Sequence, residues 1–285
     1  METIGLLHPG EMGAAIGAAL RARGHEVLWA ARGRSEQTRM RALQAGLRDA
    51  DTVEEVASNS SIVLSVCPPH AALELAKDIA DAAYAGVFID ANAVSPSTAS
   101  AIGELVAARG ASFVDGGVVG PPPSGARRTR LYLSGTAAAS VAHLFDGTPV
   151  DVIVLDGPVG AASALKMTYA AWTKGTAALL LAIRAAARAH GVEEALLEAW
   201  QASIPELPAQ SLNAARSAST KGWRWVGEME EIAETLAAAG LPAGFYEAAA
   251  EVFRRSPRLD ATTGEADVLD PVLAGLLAPP APRLN

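Results

Sequence analysis

Residues 8–13 read His8-Pro9-Gly10-Glu11-Met12-Gly13, directly after a short apolar run and at the head of an amphipathic one. Glycines in this setting suit the binding of a dinucleotide. Gly10 lets the backbone approach the pyrophosphate, Gly13 lets the helix pack on the sheet, and the helix N-terminus offers free N–H groups to the anion. The usual fingerprint, G-x-G-x-x-G, has a further glycine where His8 stands. Histidine enters the left-handed backbone region more readily than most side chains, so His8 can make the tight turn. The next apolar run ends in WAARGRS. An NAD site carries Asp or Glu there for the ribose hydroxyls; here Arg32, Arg34 and Ser35 follow instead. A guanidinium pairs with a 2′-phosphate. The expected cofactor is therefore NADP, with NAD the weaker alternative, held by His8, Pro9, Gly10, Glu11, Met12, Arg32 and Ser35.

Other stretches bear on a substrate. Gly116, Gly117 and Gly120 suit close approach to a ligand, and Gly125 follows a proline run. Arg127, Arg128 and Arg130 come next; they either bind a carboxylate or phosphate or form a solvated turn, the commoner outcome. Trp172, Trp223, Trp225 and Tyr246 either line a bulky pocket or, for most of them, pack in the core. Cys67 is the only cysteine, so no internal disulfide forms, and it has no assignable catalytic partner. The histidines show no metal-ligand spacing, and no metal is expected.

The elements that position these residues follow from periodicity. TIGLL, EVLWA, SIVLSV, GVFIDA and SFVDGGVV read as strands, separated by amphipathic helices. That rhythm implies a parallel sheet covered on both faces, with LYLSG and VDVIVLDG extending it. After Gly160 the pattern turns helical: one long helix in ASALKMTYAAWTKGTAALLLAIRAAARAHG, then helices in EALLEAWQAS, EMEEIAETLAAAG and AGFYEAAAEVFRRS. The expected fold is α/β, a Rossmann-type doubly wound domain over residues 1–159 joined by a long helix to an all-α domain over 160–285. LAPPAPRLN is expected to be a disordered tail. A net charge of −8 argues against general nucleic-acid binding. Arg184 and Arg188 interrupt the most apolar stretch, so a buried helix is expected there instead of a membrane span. The single cysteine and the lack of a leader point to the cytoplasm.

With these residues placed, the sequence resembles the β-hydroxyacid dehydrogenase superfamily, which includes 3-hydroxyisobutyrate and 6-phosphogluconate dehydrogenases, and within it an uncharacterised phosphogluconate-dehydrogenase-like branch. LHPGEMG, SVCPP, DANAVSP, FVDGGVVG, GPVGAASALKMTYA and GEMEEIAETLAAAGLP match its motifs in order. The resemblance implies cofactor contacts at Val66, Cys67, Pro68 and Asn92. It implies substrate contacts at Asn92, Gly116, Gly117, Val119, Tyr169 and Ala170. It also implies a homodimer that completes the cleft, with a small molecule as substrate. Lys166 takes the place of the family's general acid/base. A partly buried lysine with a lowered pKa exchanges a proton with an alcohol or carbonyl oxygen near neutral pH, and as a cation it stabilises an alkoxide.

Several positions depart from the pattern. The family's substrate-binding serine falls at Val119 and its asparagine at Ala170, both apolar. Asn92-Ala93 replace its Ser-Thr pair, and Glu230-Glu231 replace its distal Lys-Asp. Helical spacing puts Tyr169, Ala170 and Thr173 on the face of Lys166. The expected activity is NADP-dependent hydride transfer to or from a small hydroxy or oxo compound. An imine reductase with Tyr169 as proton donor and a non-catalytic NADP-binding redox sensor are the alternatives; the lysine at position 166 argues against both.

Overall fold

The computed structural model describes residues 1–259 and 268–279. Of the tail expected from Leu277 onward, residues 280–285 lie outside the described residues, and Leu277 itself closes a helix. The order is β1 (Thr3–Leu7), α1 (Glu11–Ala22), β2 (Glu26–Trp29), α2 (Glu36–Gln44), β3 (Arg48–Asp49), α3 (Val53–Asn59), β4 (Ile62–Ser65), α4 (Pro69–Asp81), β5 (Val87–Asp90), α5 (Pro96–Ala107) and β6 (Ser112–Val119). Then come β7 (Thr129–Ser134), α6 (Ala138–Val141) with a short 3₁₀ turn, β8 (Val150–Val154), α7 (Ala161–Ala189), α8 (Glu193–Ser203), α9 (Leu207–Ala238), α10 (Gly244–Arg255) and α11 (Leu269–Leu277).

Eight strands form one sheet in the order β3-β2-β1-β4-β5-β6-β7-β8, parallel except for the antiparallel β6–β7 pair. Alternation along each strand feeds two cores, one on each face. Ile4, Leu6, Val27 and Trp29 enter one, and Leu7, Leu28, Val63 and Phe88 enter the other. This is the expected doubly wound architecture, and the two late strands extend it as β7 and β8. The sequence reading does not foresee β3 or α3; a two-residue edge strand and a seven-residue helix carry too few apolar positions to set a period.

The chain separates into two compact units, Met1–Met167 and Thr168–Asn285, with the dividing point inside α7. The sequence reading draws its boundary earlier, at 159/160. The described part of the second unit is helical. In it α9 is far longer than the expected segment over EMEEIAETLAAAG. Its first half buries Ser211, Ala214, Ala215, Ala218, Ser219 and Gly222, a helical period written in small residues that carry almost no hydropathy signal. Charges tie these helices together. Buried Arg184 donates to Glu193 and to Ser211, and Arg188 joins the same Glu193 and Asp270.

Candidate active site

In the sheet order, β1 stands between β2 and β4, so the connections leaving β1 and β4 pass to opposite sides. A crevice opens beyond the strand ends at such a switch point. The turn after β1 lies there. His8 adopts φ +65°, the left-handed conformation that a glycine would take, and Gly10 N–H donates to His8 O at 2.8 Å. A Cβ on Gly13 would stand 2.8 Å from that same carbonyl, so only glycine lets α1 start this close to the turn. Gly10 precedes α1 in extended backbone, and no side chain caps the helix. Its first N–H groups are thus disposed for an anion, and the residues present fit a dinucleotide pyrophosphate.

The basic residues around this turn are arranged differently from the expectation. Arg32 is ion-paired with Asp51, both largely exposed. Arg34 instead reaches back to His8, Nη1 to Nδ1 at 3.3 Å. Arg41, from α2, donates to Pro9 O at 3.2 Å. The sequence reading misses Arg41 because nothing local links a mid-helix arginine to a turn 32 residues away. Ser35 caps α2, its Oγ accepting from Thr38 N–H at 3.3 Å. Glu11 is exposed in the first turn of α1, and Met12 packs against the core.

At the neighbouring strand end, Val66 N–H donates to Leu7 O at 3.3 Å, and Pro68 opens α4. Asn92 is 2% exposed. It accepts from Cys67 N–H at 2.5 Å, and its Nδ2 donates to Ser65 Oγ at 3.0 Å and to the Asp90 carboxylate. Asn92 clasps the ends of β4 and β5, and both ends of its amide are engaged by protein. Burial pushes the Cys67 thiol up to about 12, which suits the inert role expected of it.

Ser65, Asp90, Asp115 and Ser134 stand in register across four adjacent strands, and all four are fully buried. Asp115 uses this position to anchor α7. Its carboxylate accepts from Ser134 Oγ at 2.8 Å, from the backbone N–H groups of Gly160, Ala162 and Ser163 at 2.9–3.1 Å, and from Ser163 Oγ at 2.6 Å. The carboxylate thus satisfies N–H groups at the helix start, sharing that of Ala162 with Ser134 Oγ at 3.1 Å, and it complements the dipole. Lys166 follows three residues after Ser163. It is half-buried, and burial lowers its pKa to about 8. The sequence reading quotes Asp115 within a motif but gives it no role; its three backbone partners lie 45 to 48 residues away.

Gly116 and Gly117 are packed by protein where the sequence reading expects ligand. A Cβ on Gly116 would meet Asp90 O at 3.0 Å; one on Gly117 would meet Ala162 O at 2.7 Å and Lys166 Cβ at 2.9 Å. Gly117 therefore lets β6 lie directly against the turn that carries Lys166. Gly117→Ala is expected to push that turn outward and to cost about 1–3 kcal/mol by overpacking. Urea denaturation would measure the loss; an unchanged midpoint would mean that α7 yields freely.

Val119 is 4% exposed at the end of β6, and its carbonyl accepts from Thr129 Oγ1 at 3.2 Å. Arg127, Arg128 and Arg130 are exposed, with Arg128 bidentate to Asp151. In the second unit, Ala170 is buried and Tyr169 is half exposed. Trp225 packs edge-on against Phe253, and Tyr246 lies against Phe245. Trp172 is 75% exposed, and Trp223 lies partly exposed under Arg258. Only two of these four aromatics are thus packed as expected. Lys174 and Glu228 form a largely buried ion pair beside Trp225. Among the described residues, no group of three or more His, Cys, Asp or Glu could hold a metal, and no helix is long and apolar enough to cross a membrane.

The sheet order, glycine turn and capless helix start define a dinucleotide-binding domain. Residues 3–146 match the model of the NAD binding domain of 6-phosphogluconate dehydrogenase, and the chain belongs to that family. Residues 187–256 match a domain of unknown function, DUF1932. An uncharacterised 28.5 kDa protein in the 7S RNA 5′ region of Methanothermus fervidus is 33% identical over 174 residues, 61% of this chain and 66% of that relative's length. A conserved hypothetical protein from Sinorhizobium meliloti 1021 superposes with a TM-score of 0.68 at 27% identity, over 96% of this chain and 97% of that one. The 3-hydroxyisobutyrate dehydrogenase of Mycobacterium tuberculosis shares the fold, with a TM-score of 0.70 at 19% identity over 98% of this chain and all of that one.

Proposed function

We propose that this protein is an NADP-dependent oxidoreductase acting on a small hydroxy or oxo compound of the 3-hydroxy-acid type, with Lys166 as general acid/base. Residues 1–159 would bind the cofactor and 160–285 would serve substrate binding and dimerisation, in a cytoplasmic homodimer. The observation that carries the reading is Lys166: a half-buried lysine with its pKa near 8, on a helix start fixed by a buried carboxylate.

The bound nicotinamide would donate or accept hydride. The chain's own residues would do the rest. The α1 N-terminus and Gly10 would hold the pyrophosphate. The arginines in the stretch directly after β2, residues 30–35, which has no acidic residue of its own, favour a 2′-phosphate over a free ribose hydroxyl. Neutral Lys166 would take the hydroxyl proton as the alcohol is oxidised, and the ammonium would return it to the carbonyl oxygen in reduction.

One observation favours a second reading. Val119 and Ala170, where polar substrate contacts fall in the family, are apolar and buried. A substrate that needs no carboxylate grip, such as an imine, suits the loss of those polar side chains. The test is a turnover screen following nicotinamide absorbance, with NADP and NAD in parallel, against 3-hydroxy acids, their phosphorylated relatives, simple alcohols and cyclic imines. Turnover of a hydroxy acid with preference for NADP is the expected result. Turnover of imines alone would select the second reading, and NAD preference would overturn the assignment of the arginines.

A further inference from the structure

We propose that His8 is itself a cofactor ligand: its Nε2–H donates to the pyrophosphate of the bound dinucleotide, and Arg34 fixes the imidazole in the tautomer that can do so. The proposal rests on the dinucleotide reading above and assigns to its turn a donor that a glycine lacks.

Three geometric facts carry it. First, His8 holds φ +65° in a turn that glycine would form without strain. Second, the ring lies over the start of α1. A Cβ built on Gly10, the residue preceding that helix, would stand 3.6 Å from His8 Cδ2 and 3.8 Å from Nε2. The Nε2 edge therefore borders the capless helix N-terminus. Third, the opposite nitrogen, Nδ1, is 3.3 Å from Arg34 Nη1. A guanidinium only donates, so Nδ1 must accept, and a neutral imidazole with an acceptor Nδ1 carries its proton on Nε2.

The surroundings keep the ring neutral. Burial and the charges of Arg34, Arg41 and His70 lower its pKa to about 4. Among the described residues, no ion pair links Arg34 or Arg41 to a carboxylate. The turn is thus a basic cradle, and His8 adds to it a directed N–H without adding a charge. Arg34 belongs to the segment after β2 and reaches the ring, which joins pyrophosphate recognition to the arginines there.

The test uses the full chain and two probes, NADPH and NADH. Nitrogen-15 NMR of the wild type is expected to show the Nε2–H tautomer at neutral pH, with the Nε2 resonance moving when NADPH binds. His8→Gly restores the ordinary turn and relieves its strain, yet is expected to weaken NADPH and NADH about tenfold, the loss of one hydrogen bond to a charged group. Arg34→Ala is expected to mix the tautomers. A glycine variant that binds as tightly as the wild type, or a wild-type ring protonated on Nδ1, overturns the proposal and leaves the dinucleotide reading standing. A wild type that binds neither probe overturns both.

Discussion

Lys166→Met is expected to lower turnover by about 10²–10⁴-fold, the range general acid/base catalysis contributes, while leaving NADPH affinity unchanged. The methionine keeps the stem that packs against Gly117 and removes only the ammonium. The pH profile of the wild type carries the same prediction with a sign. With the neutral amine as the proposed base, alcohol oxidation should rise as pH passes about 8 and then level off. Reduction needs the ammonium and should fall over the same interval. Stability is linked to the same shift. The folded pKa, about 8, lies below the ordinary 10.5, so the unfolded chain binds more protons between those values. Stability therefore rises with pH across that window, and below it the buried ammonium is a cost. Lys166→Met should remove that cost and raise the Tm at neutral pH by about 2–4 °C. Full turnover in the methionine variant would remove Lys166 from the mechanism.

Asp115→Ala is expected to be the most destabilising change in the first unit. It leaves the N–H groups of Gly160 and Ser163 and two serine hydroxyls without this acceptor in a dry setting, and leaves Ala162 N–H only the Ser134 Oγ. Removing one side of a buried, charged hydrogen-bond cluster costs about 3–5 kcal/mol. Asp115→Asn keeps the shape and one acceptor oxygen, and should lose about half as much. Because Lys166 lies one turn further along the same helix, the asparagine variant should also lose turnover, with cofactor affinity retained. Equilibrium urea unfolding measures the first effect and steady-state kinetics the second. If Asp115→Ala unfolds at the wild-type midpoint, α7 is held by packing alone and the anchor described here is ornamental.

The cofactor turn was legible because its physics is local. A glycine pair, a strand before it and a helix after it are all written within a dozen residues, and His8 could be anticipated there from its tolerance of left-handed backbone. The basic surroundings of the turn were half legible. The absence of an acid and the presence of arginines after β2 can be read directly, but which arginine faces the turn cannot. Arg32 is taken by Asp51, contributed by a later segment, and Arg41 arrives from α2. The protein partners of Asn92 and Gly117 were not legible. Motif position marks them as special, yet their partners in the fold are Ser65, Asp90, Ala162 and Lys166.

By itself the sequence determined the layers, the cofactor edge of the sheet and the identity of the candidate acid/base. Hydrophobic period and turn chemistry are one-dimensional signals, and so are the motif positions that mark Lys166 through the resemblance. Only the tertiary structure decided what holds that lysine and what tunes it. Ser65, Asp90, Asp115 and Ser134 become a row only when four strands pair in register, and Asp115 meets the start of α7 only when the chain returns across the sheet. Burial, which lowers the Lys166 pKa, is likewise a property of the packed chain: desolvation depends on what surrounds the amine, and the sequence does not name its neighbours.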